Sequence, residues 1–326
     1  MQRSERKSVS QKVVAMLSSY KNLNYQDWLW KQTPHPFGVW KNIQMLATAQ
    51  QPDYLLLYQY DFPRPKPPQP WWKKLSQKTA STPQVTDLAQ RYGIPKEKIA
   101  FLLREPPLQE VVQKNKLNYK IATQQCGYVS GPDYDAPTPD YMPAIWYVRQ
   151  SFTDLASNNI PEKLKLCSWI TSGISRTENH RRRLAFLKTL QESGVDFDLY
   201  GRGLPEWSDS YGVVENKWHA MAPYYYNLAI ENYGDNDLYV SEKLWDSLLS
   251  WCLPIYYGGS AADKLLPEGS FLRLPSMDEK GIAYIKEVTS NLDAWHEAKD
   301  KIAEARQIIL HELNLLNWLA DFVSKG

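Results

Sequence analysis

Apolar residues in this chain gather in short runs separated by turn-forming and charged stretches, and the length of each run limits what it can become. Residues 54–60 (YLLLYQY), 99–103 (IAFLL), 119–123 and 145–148 have strand length and are bounded by turn residues, which predicts short buried strands. Between the first two lies DFPRPKPPQPWW (61–72), which its prolines hold extended or in a loop. From Lys163 the pattern becomes regular. KLKLCSWI alternates as a strand, residues 178–192 repeat as a helix that stops before Gly194, and VDFDLYG follows as another strand. YYYNLAIEN (224–232), a helix opening at Ser241 and PIYYGG (254–259) continue the alternation. In the tail, Ile302, Ala305, Ile309, Leu313 and Leu316 fall at helical spacing. Strand and helix in turn predict an α/β fold with parallel sheets, which bind ligands outside the carboxyl ends of their strands.

Length turns this pattern into two units, because 326 residues is about twice the typical ~150-residue domain. The expected division is 1–155, then 156–300, with a C-terminal helix over 301–326 packing back on the body. The 43% apolar and 23% charged residues are those of a globular chain. With 38 Lys+Arg against 36 Asp+Glu the net charge is +2, which argues against a nucleic-acid partner. Cys126, Cys167 and Cys252 lie far apart with no CxxC pair, so neither a disulfide framework nor a thiolate zinc site is indicated. His180, His219 and His296 have no metal-ligand spacing and are expected on the surface or on helix faces. No apolar run approaches the ~20 residues that span a bilayer, and the first residues lack the apolar core of a signal peptide. A cytoplasmic location is expected, with at most peripheral membrane contact. The 13 Trp, 21 Tyr and 8 Phe serve mainly the core, with some rings left as stacking surfaces.

The most informative stretch is NLAIENYGDNDLYVSEK (227–243). An apolar strand runs into Glu231 and Asn232, a turn follows, and Ser241 is suited to cap a helix whose Leu244, Leu248 and Cys252 share one face. Glu242 and Lys243 then stand in its first turn. A cation there opposes the helix dipole by ~0.3–1 kcal/mol, whereas a bound phosphate would be welcomed by dipole, free N–H groups and ammonium together. The alternative is that Lys243 pairs with Asp246 or Glu242 on a solvated face.

These residues resemble a family. NLAIEN, a short turn and YVSEKLWDSLLSWCLPIYYGG (239–259) are similar to the signature of the α-1,3/4-fucosyltransferases, glycosyltransferase family 10. Upstream, SGISRTENHRRRLAFLKTLQESGVDFDLYGRG (172–203) resembles the family's arginine-bearing helix and the strand after it. The resemblance implies a GT-B fold, two Rossmann-like domains facing across a cleft, and an inverting transfer of fucose from GDP-fucose to a hydroxyl of an oligosaccharide or glycoconjugate acceptor, in glycan biosynthesis or protein glycosylation. It implies that Arg183 and Lys243 hold the diphosphate, that Asn232 and Glu242 meet the sugar and ribose, and that Tyr239 lies beside the nucleotide. Arg181 and Arg182 are then solvated helix charges. Another GDP-sugar donor in the same fold is the nearest alternative.

An inverting transfer needs a base for the acceptor hydroxyl. The family places a glutamate just beyond a strand of the N-terminal domain, which assigns the role to Glu105 in IAFLLREPP; a loop glutamate paired with Arg104 is the other reading. Asp61 and Asp133 are the next carboxylates to consider. No cofactor and no essential metal ion are expected, since protein cations take the place of a divalent ion and Asp235 and Asp237 in GDND read as turn chemistry rather than as a metal-binding DxD motif. Two other classes compete: a helix-turn-helix DNA-binding unit over 85–103, and a non-catalytic glycan-binding module using the aromatic rings.

Overall fold

The structure, a computed structural model, describes residues 11–20, 28–63 and 91–326. The proline cluster beyond Pro63 and the start of 85–103 lie outside the described residues. A seven-stranded sheet forms the N-terminal domain from β1 (Lys12–Leu17), β2 (Val39–Trp40), β3 (Ile43–Met45), β4 (Tyr54–Tyr58), β5 (Ile99–Leu102), β6 (Tyr128–Gly131) and β7 (Thr138–Pro139). The strands lie in the order β2-β3-β1-β4-β5-β6-β7. Among the described residues, β2 and β3 are the only antiparallel pair in it. Such a sheet needs cover on both faces, and β4 supplies two apolar faces. Its Tyr54, Leu56 and Tyr58 join one core cluster, and its Leu55 and Leu57 join another with Phe101 and Tyr119.

Two of the strands expected from sequence are corrected. Residues 119–123 lie inside helix α1 (Val112–Gln125). The buried positions of α1 are Asn115, Asn118, Tyr119 and Ala122, a helical i, i+3, i+4, i+7 stripe that its two asparagines hide from an apolar pattern. Residues 145–148 are buried but belong to no sheet, because Tyr147 N–H and Val148 N–H donate to the Asp246 carboxylate (2.7 and 3.3 Å) instead of to a strand. In 99–102 the helix-turn-helix reading meets β5, so the would-be recognition helix is a buried strand.

The C-terminal domain carries an all-parallel sheet, β12-β11-β10-β8-β9, made from β8 (Lys165–Ser172), β9 (Asp198–Arg202), β10 (Tyr224–Ile230), β11 (Leu253–Tyr257) and β12 (Leu272–Arg273). A short helix, α2 (Phe152–Ala156), precedes it. Between strands run α3 (Glu178–Glu192), capped by Thr177, and α4 (Glu242–Leu249), capped by Ser241. Within β9, position 201 takes a glycine because a Cβ there would stand 1.7 Å from the carbonyl oxygen of Thr171 on the neighbouring strand.

After α5 (Ala261–Leu265) and α6 (Glu279–Val288) comes the tail. It is one helical pattern broken once: α7 (Asp293–Ile308) runs into a π turn (Ile309–Leu313), and α8 (Leu315–Lys325) restarts from an Asn314 cap. The α7 helix lies on the C-terminal domain, where Trp295 Nε1 donates to Trp251 O (3.0 Å). At the break, Ala144 N–H donates to Leu313 O and Leu315 N–H to Ala144 O (2.7 and 2.9 Å), and α8 returns to the N-terminal sheet. There Trp318 and Phe322 pack on Tyr128. One core cluster runs through both domains and this tail.

Candidate active site

The carboxyl ends of β5, β8 and β10 meet at the junction of the two domains. From β10 the chain enters Glu231, whose side chain is fully buried. Its carboxylate accepts from Ser241 N–H (2.8 Å), Ser241 Oγ (2.7 Å) and Lys243 Nζ (2.9 Å). Lys243 therefore pairs with neither Asp246 nor Glu242; its partner is a strand-end carboxylate twelve residues back, which locks the start of α4 against the end of β10. Three bonds, one of them charged, offset the cost of burying the carboxylate.

Arg183 is the second cation. It is buried on the inner face of α3 while Arg181 and Arg182 are exposed, which places the expected arginine in register. One terminal nitrogen donates to Asn232 Oδ1 and the other to Ser172 O (2.8 Å) at the end of β8. Its Nε is buried and has no hydrogen-bond partner among the described residues. Burial lowers the guanidinium to about 10, opposed by the nearby Glu231 charge, so it stays a cation at neutral pH.

Glu242 reaches across the domain junction. Its carboxylate pairs with Arg104, just beyond β5, and lies 3.7 Å from Lys217 Nζ, which also binds Asp246 at 2.7 Å. Burial would raise the Glu242 carboxyl, but Lys243, Arg104 and Lys217 overcome it and hold it well below the usual carboxylate range. Tyr239 is buried, and burial, followed by the charges of Glu231, Glu105 and Glu242, pushes its phenol well up.

Glu105 follows Arg104 and accepts a hydrogen bond from the Tyr20 hydroxyl, so the pairing of Glu105 with Arg104 does not form. Burial raises its carboxyl, and the neighbouring Glu242 charge adds to this against Lys243, Lys114 and Arg176. Asp61 and Asp133 serve the N-terminal domain instead. Asp61 holds Lys114 (2.6 Å) and Asn118 (3.0 Å), and Asp133 accepts from Tyr119 Oη (2.7 Å).

Beside these groups opens a cleft of about 290 Å³, lined by Pro107, Leu108 and Glu110 from one domain and Thr177, Asn179 and Tyr233 from the other. All six side chains expected from sequence, Glu105, Arg183, Asn232, Tyr239, Glu242 and Lys243, thus gather where the two domains meet. Three partners were missed: Glu231, Arg104 and Lys217. A charge ending the buried run NLAI was the available signal for Glu231; for Arg104 and Lys217 the sequence carried none. His180 lies on α3, on a buried face of the helix, and its Nδ1 stands 2.5 Å from the Thr177 hydroxyl at the α3 cap.

The GDND turn is used structurally. Asn236 is buried, accepts from Leu238 N–H and Tyr239 N–H (2.7 and 3.0 Å), and donates to Pro132 O of the other domain (2.8 Å). Asp237 accepts from Ser260 Oγ and Tyr134 Oη (3.0 and 3.1 Å). Among the described residues, no group of three or more His, Cys, Asp or Glu side chains is placed to hold a metal ion. No helix among them is long and apolar enough to cross a membrane, and the three cysteines are buried thiols.

Comparisons with known proteins fall on this same region. Residues 160–298 match the model of the glycosyltransferase family 10 (fucosyltransferase) C-terminal domain. The chain is 29% identical over 119 residues to alpha-(1,3)-fucosyltransferase 4 of Homo sapiens and equally to that of Pan troglodytes, a match over 35% of this chain and 21% of each relative. The match thus spans about a fifth of the length of these relatives. Among solved structures, an alpha1,3-fucosyltransferase with GDP-fucose aligns over 100% of this chain and 93% of its own, at 16% identity and a TM-score of 0.46. An alpha-glucosyltransferase in complex with UDP and DNA aligns over 97% and 99% at 9% identity, with a TM-score of 0.53. The two-domain α/β arrangement is the GT-B fold, and the stretch that carries Arg183, Asn232, Tyr239, Glu242 and Lys243 is the one that matches the glycosyltransferase family 10 model.

Proposed function

We propose that this protein transfers fucose from GDP-fucose to a hydroxyl of a glycan acceptor with inversion at the anomeric carbon, in the cytoplasm. The observation that carries this reading is the convergence of Arg183 and Lys243, from two helices of the donor-side domain, at a junction where Glu105 arrives from the other domain. As the bond from fucose C1 to the β-phosphate breaks, negative charge grows on the departing GDP, and two fixed cations with the amino end of α4 stabilise it. The acceptor oxygen bonds to C1 from the opposite face, and its proton passes to Glu105. Burial, with the Glu242 charge, raises the Glu105 carboxyl, and a carboxylate so raised is a better base than an ordinary one. Asn232 and Glu242 would meet the sugar and ribose, and Tyr239 the nucleotide. In the present arrangement both cations rest on protein oxygens, so donor phosphates would compete with Asn232 and Ser172 for Arg183 and with Glu231 and Ser241 for Lys243.

The test is a donor panel of GDP-fucose, GDP-mannose, UDP-galactose and UDP-N-acetylglucosamine, read by thermal shift and by turnover. At 100 times Kd a true donor should stabilise the fold by ~2.7 kcal/mol. GDP and GDP-fucose are expected to bind and the uridine donors to leave the melting temperature unchanged. Preference for a uridine donor would overturn the reading, and faster turnover of GDP-mannose would assign the same chemistry to another GDP-sugar.

A further inference from the structure

Arg104 joins the two domains while standing next to the proposed base in the chain. Its guanidinium pairs with Glu242 in the first turn of α4, donates to Tyr147 Oη at 2.7 Å and lies over the Tyr147 ring at 5.4 Å. Both ends of the ion pair are well shielded, at 15% and 16% side-chain exposure, so the contact is little screened by solvent. The backbone on the Arg104 side is held as firmly. Arg104 N–H and Glu105 N–H both donate to Gln59 Oε1 (2.8 and 3.0 Å), and Gln59 itself takes a left-handed φ of 47°, a strained conformation held by its surroundings. On the other side, Lys217 braces Glu242 and Asp246 together.

We propose that Arg104 is a positioning residue for catalysis: by gripping Glu242 across the junction it fixes Glu105, its neighbour in the chain, at working distance from the Lys243 end of α4. The inference rests on the fucosyl-transfer reading, in which Glu105 takes the proton and α4 holds the donor. A displacement of about 1 Å between such groups costs on the order of 100-fold in rate, so the strut matters more for turnover than for binding.

The experiment compares the full chain with R104Q, R104K, E242Q and the double variant R104Q/E242Q, measuring GDP affinity by calorimetry, kcat and KM with GDP-fucose, and thermal stability. R104Q is expected to lower kcat about 100-fold while GDP affinity falls less than about tenfold, and R104K to recover part of kcat by keeping a charged contact. The double variant is expected to have a kcat within about threefold of the poorer single variant, because the two side chains act through one contact. Multiplying effects in the double variant, or an R104Q protein that only melts earlier with kcat intact, would overturn the proposal. If the unaltered chain neither binds GDP nor turns over any GDP-sugar, the functional reading falls and takes this inference with it. If the unaltered chain does both and R104Q matches its kcat, the inference alone falls.

Discussion

Glu105 carries the sharpest demand made on a single residue here, because it must be ionised to accept a proton and yet sits where ionisation is disfavoured. Burial and the Glu242 charge raise its carboxyl, so the acidic limb of kcat/KM should lie above the ordinary carboxylate range, with activity rising as pH passes through the raised value. Glu105→Gln keeps shape and hydrogen bonding but cannot take the proton. We expect kcat to fall by ~10²–10⁴, the acidic limb to vanish and GDP affinity to hold. A variant that retains near-normal kcat, or that loses GDP binding as steeply as turnover, sinks the assignment. The residue was reachable from sequence only through its resemblance-based place after a strand. That it turns to Tyr20 while Arg104 turns away depends on neighbours 85 and 138 residues distant.

The pairing of β10 with α4 makes its prediction at the scale of elements. Lys243 stands in the first turn of α4 and opposes the dipole there, and Glu231 at the end of β10 compensates by pairing with it. Lys243→Ala would leave the Glu231 carboxylate buried with Ser241 as its one remaining partner among the described residues, so it should lower both activity and stability, the latter by up to about 3–5 kcal/mol. Adding Glu231→Gln removes the stranded charge. The double variant should regain most of the stability in a urea titration and none of the turnover. Recovery of activity would show that the ammonium serves only to neutralise Glu231. The same scale explains what periodicity could read: α3 spans Glu178–Glu192 as expected, because a Thr177 cap and a left-handed Gly194 punctuate it locally. In α1 the stripe includes two asparagines, one spent on Asp61, and a pattern of apolar residues cannot register that.

For the whole molecule, the question is what holds the two domains in register and supplies positive charge where they meet. We propose that none is needed for turnover, since Arg183 and Lys243 supply the charge a divalent ion would bring and the GDND turn is committed to the junction. Turnover measured in EDTA should therefore keep most of its rate. Asp235→Ala should be mild, and Asp237→Ala, which loses the solvent-exposed Tyr134 and Ser260 bonds, should lower stability only slightly and change the metal response little. Complete loss on chelation, restored only by Mn²⁺ or Mg²⁺, would return the two aspartates to a metal-binding role. The α8 helix contributes to the same register from the far end of the chain, lying on the N-terminal domain after α7 has packed on the C-terminal one.

Local physics was enough to write much of the C-terminal domain from its sequence. Strand-length apolar runs, a serine before an amphipathic repeat and a glycine after one act within a few residues of themselves, so β8, α3, β10 and the start of α4 could be read in order, and with them the place of Lys243 in its helix, whereas Arg183 was singled out by the family resemblance. Tertiary structure alone decided whom those residues meet. Lys243 could have paired with Asp246 or Glu242 by spacing; it pairs with Glu231 because the parallel sheet brings the end of β10 against the amino end of α4. Glu242 is thereby left to Arg104, and Asp246 to Lys217 and the backbone of Tyr147 and Val148. Side chains separated by a hundred or more residues have no periodicity in common, and their pairing follows from how two domains, each folded on its own pattern, close on one another.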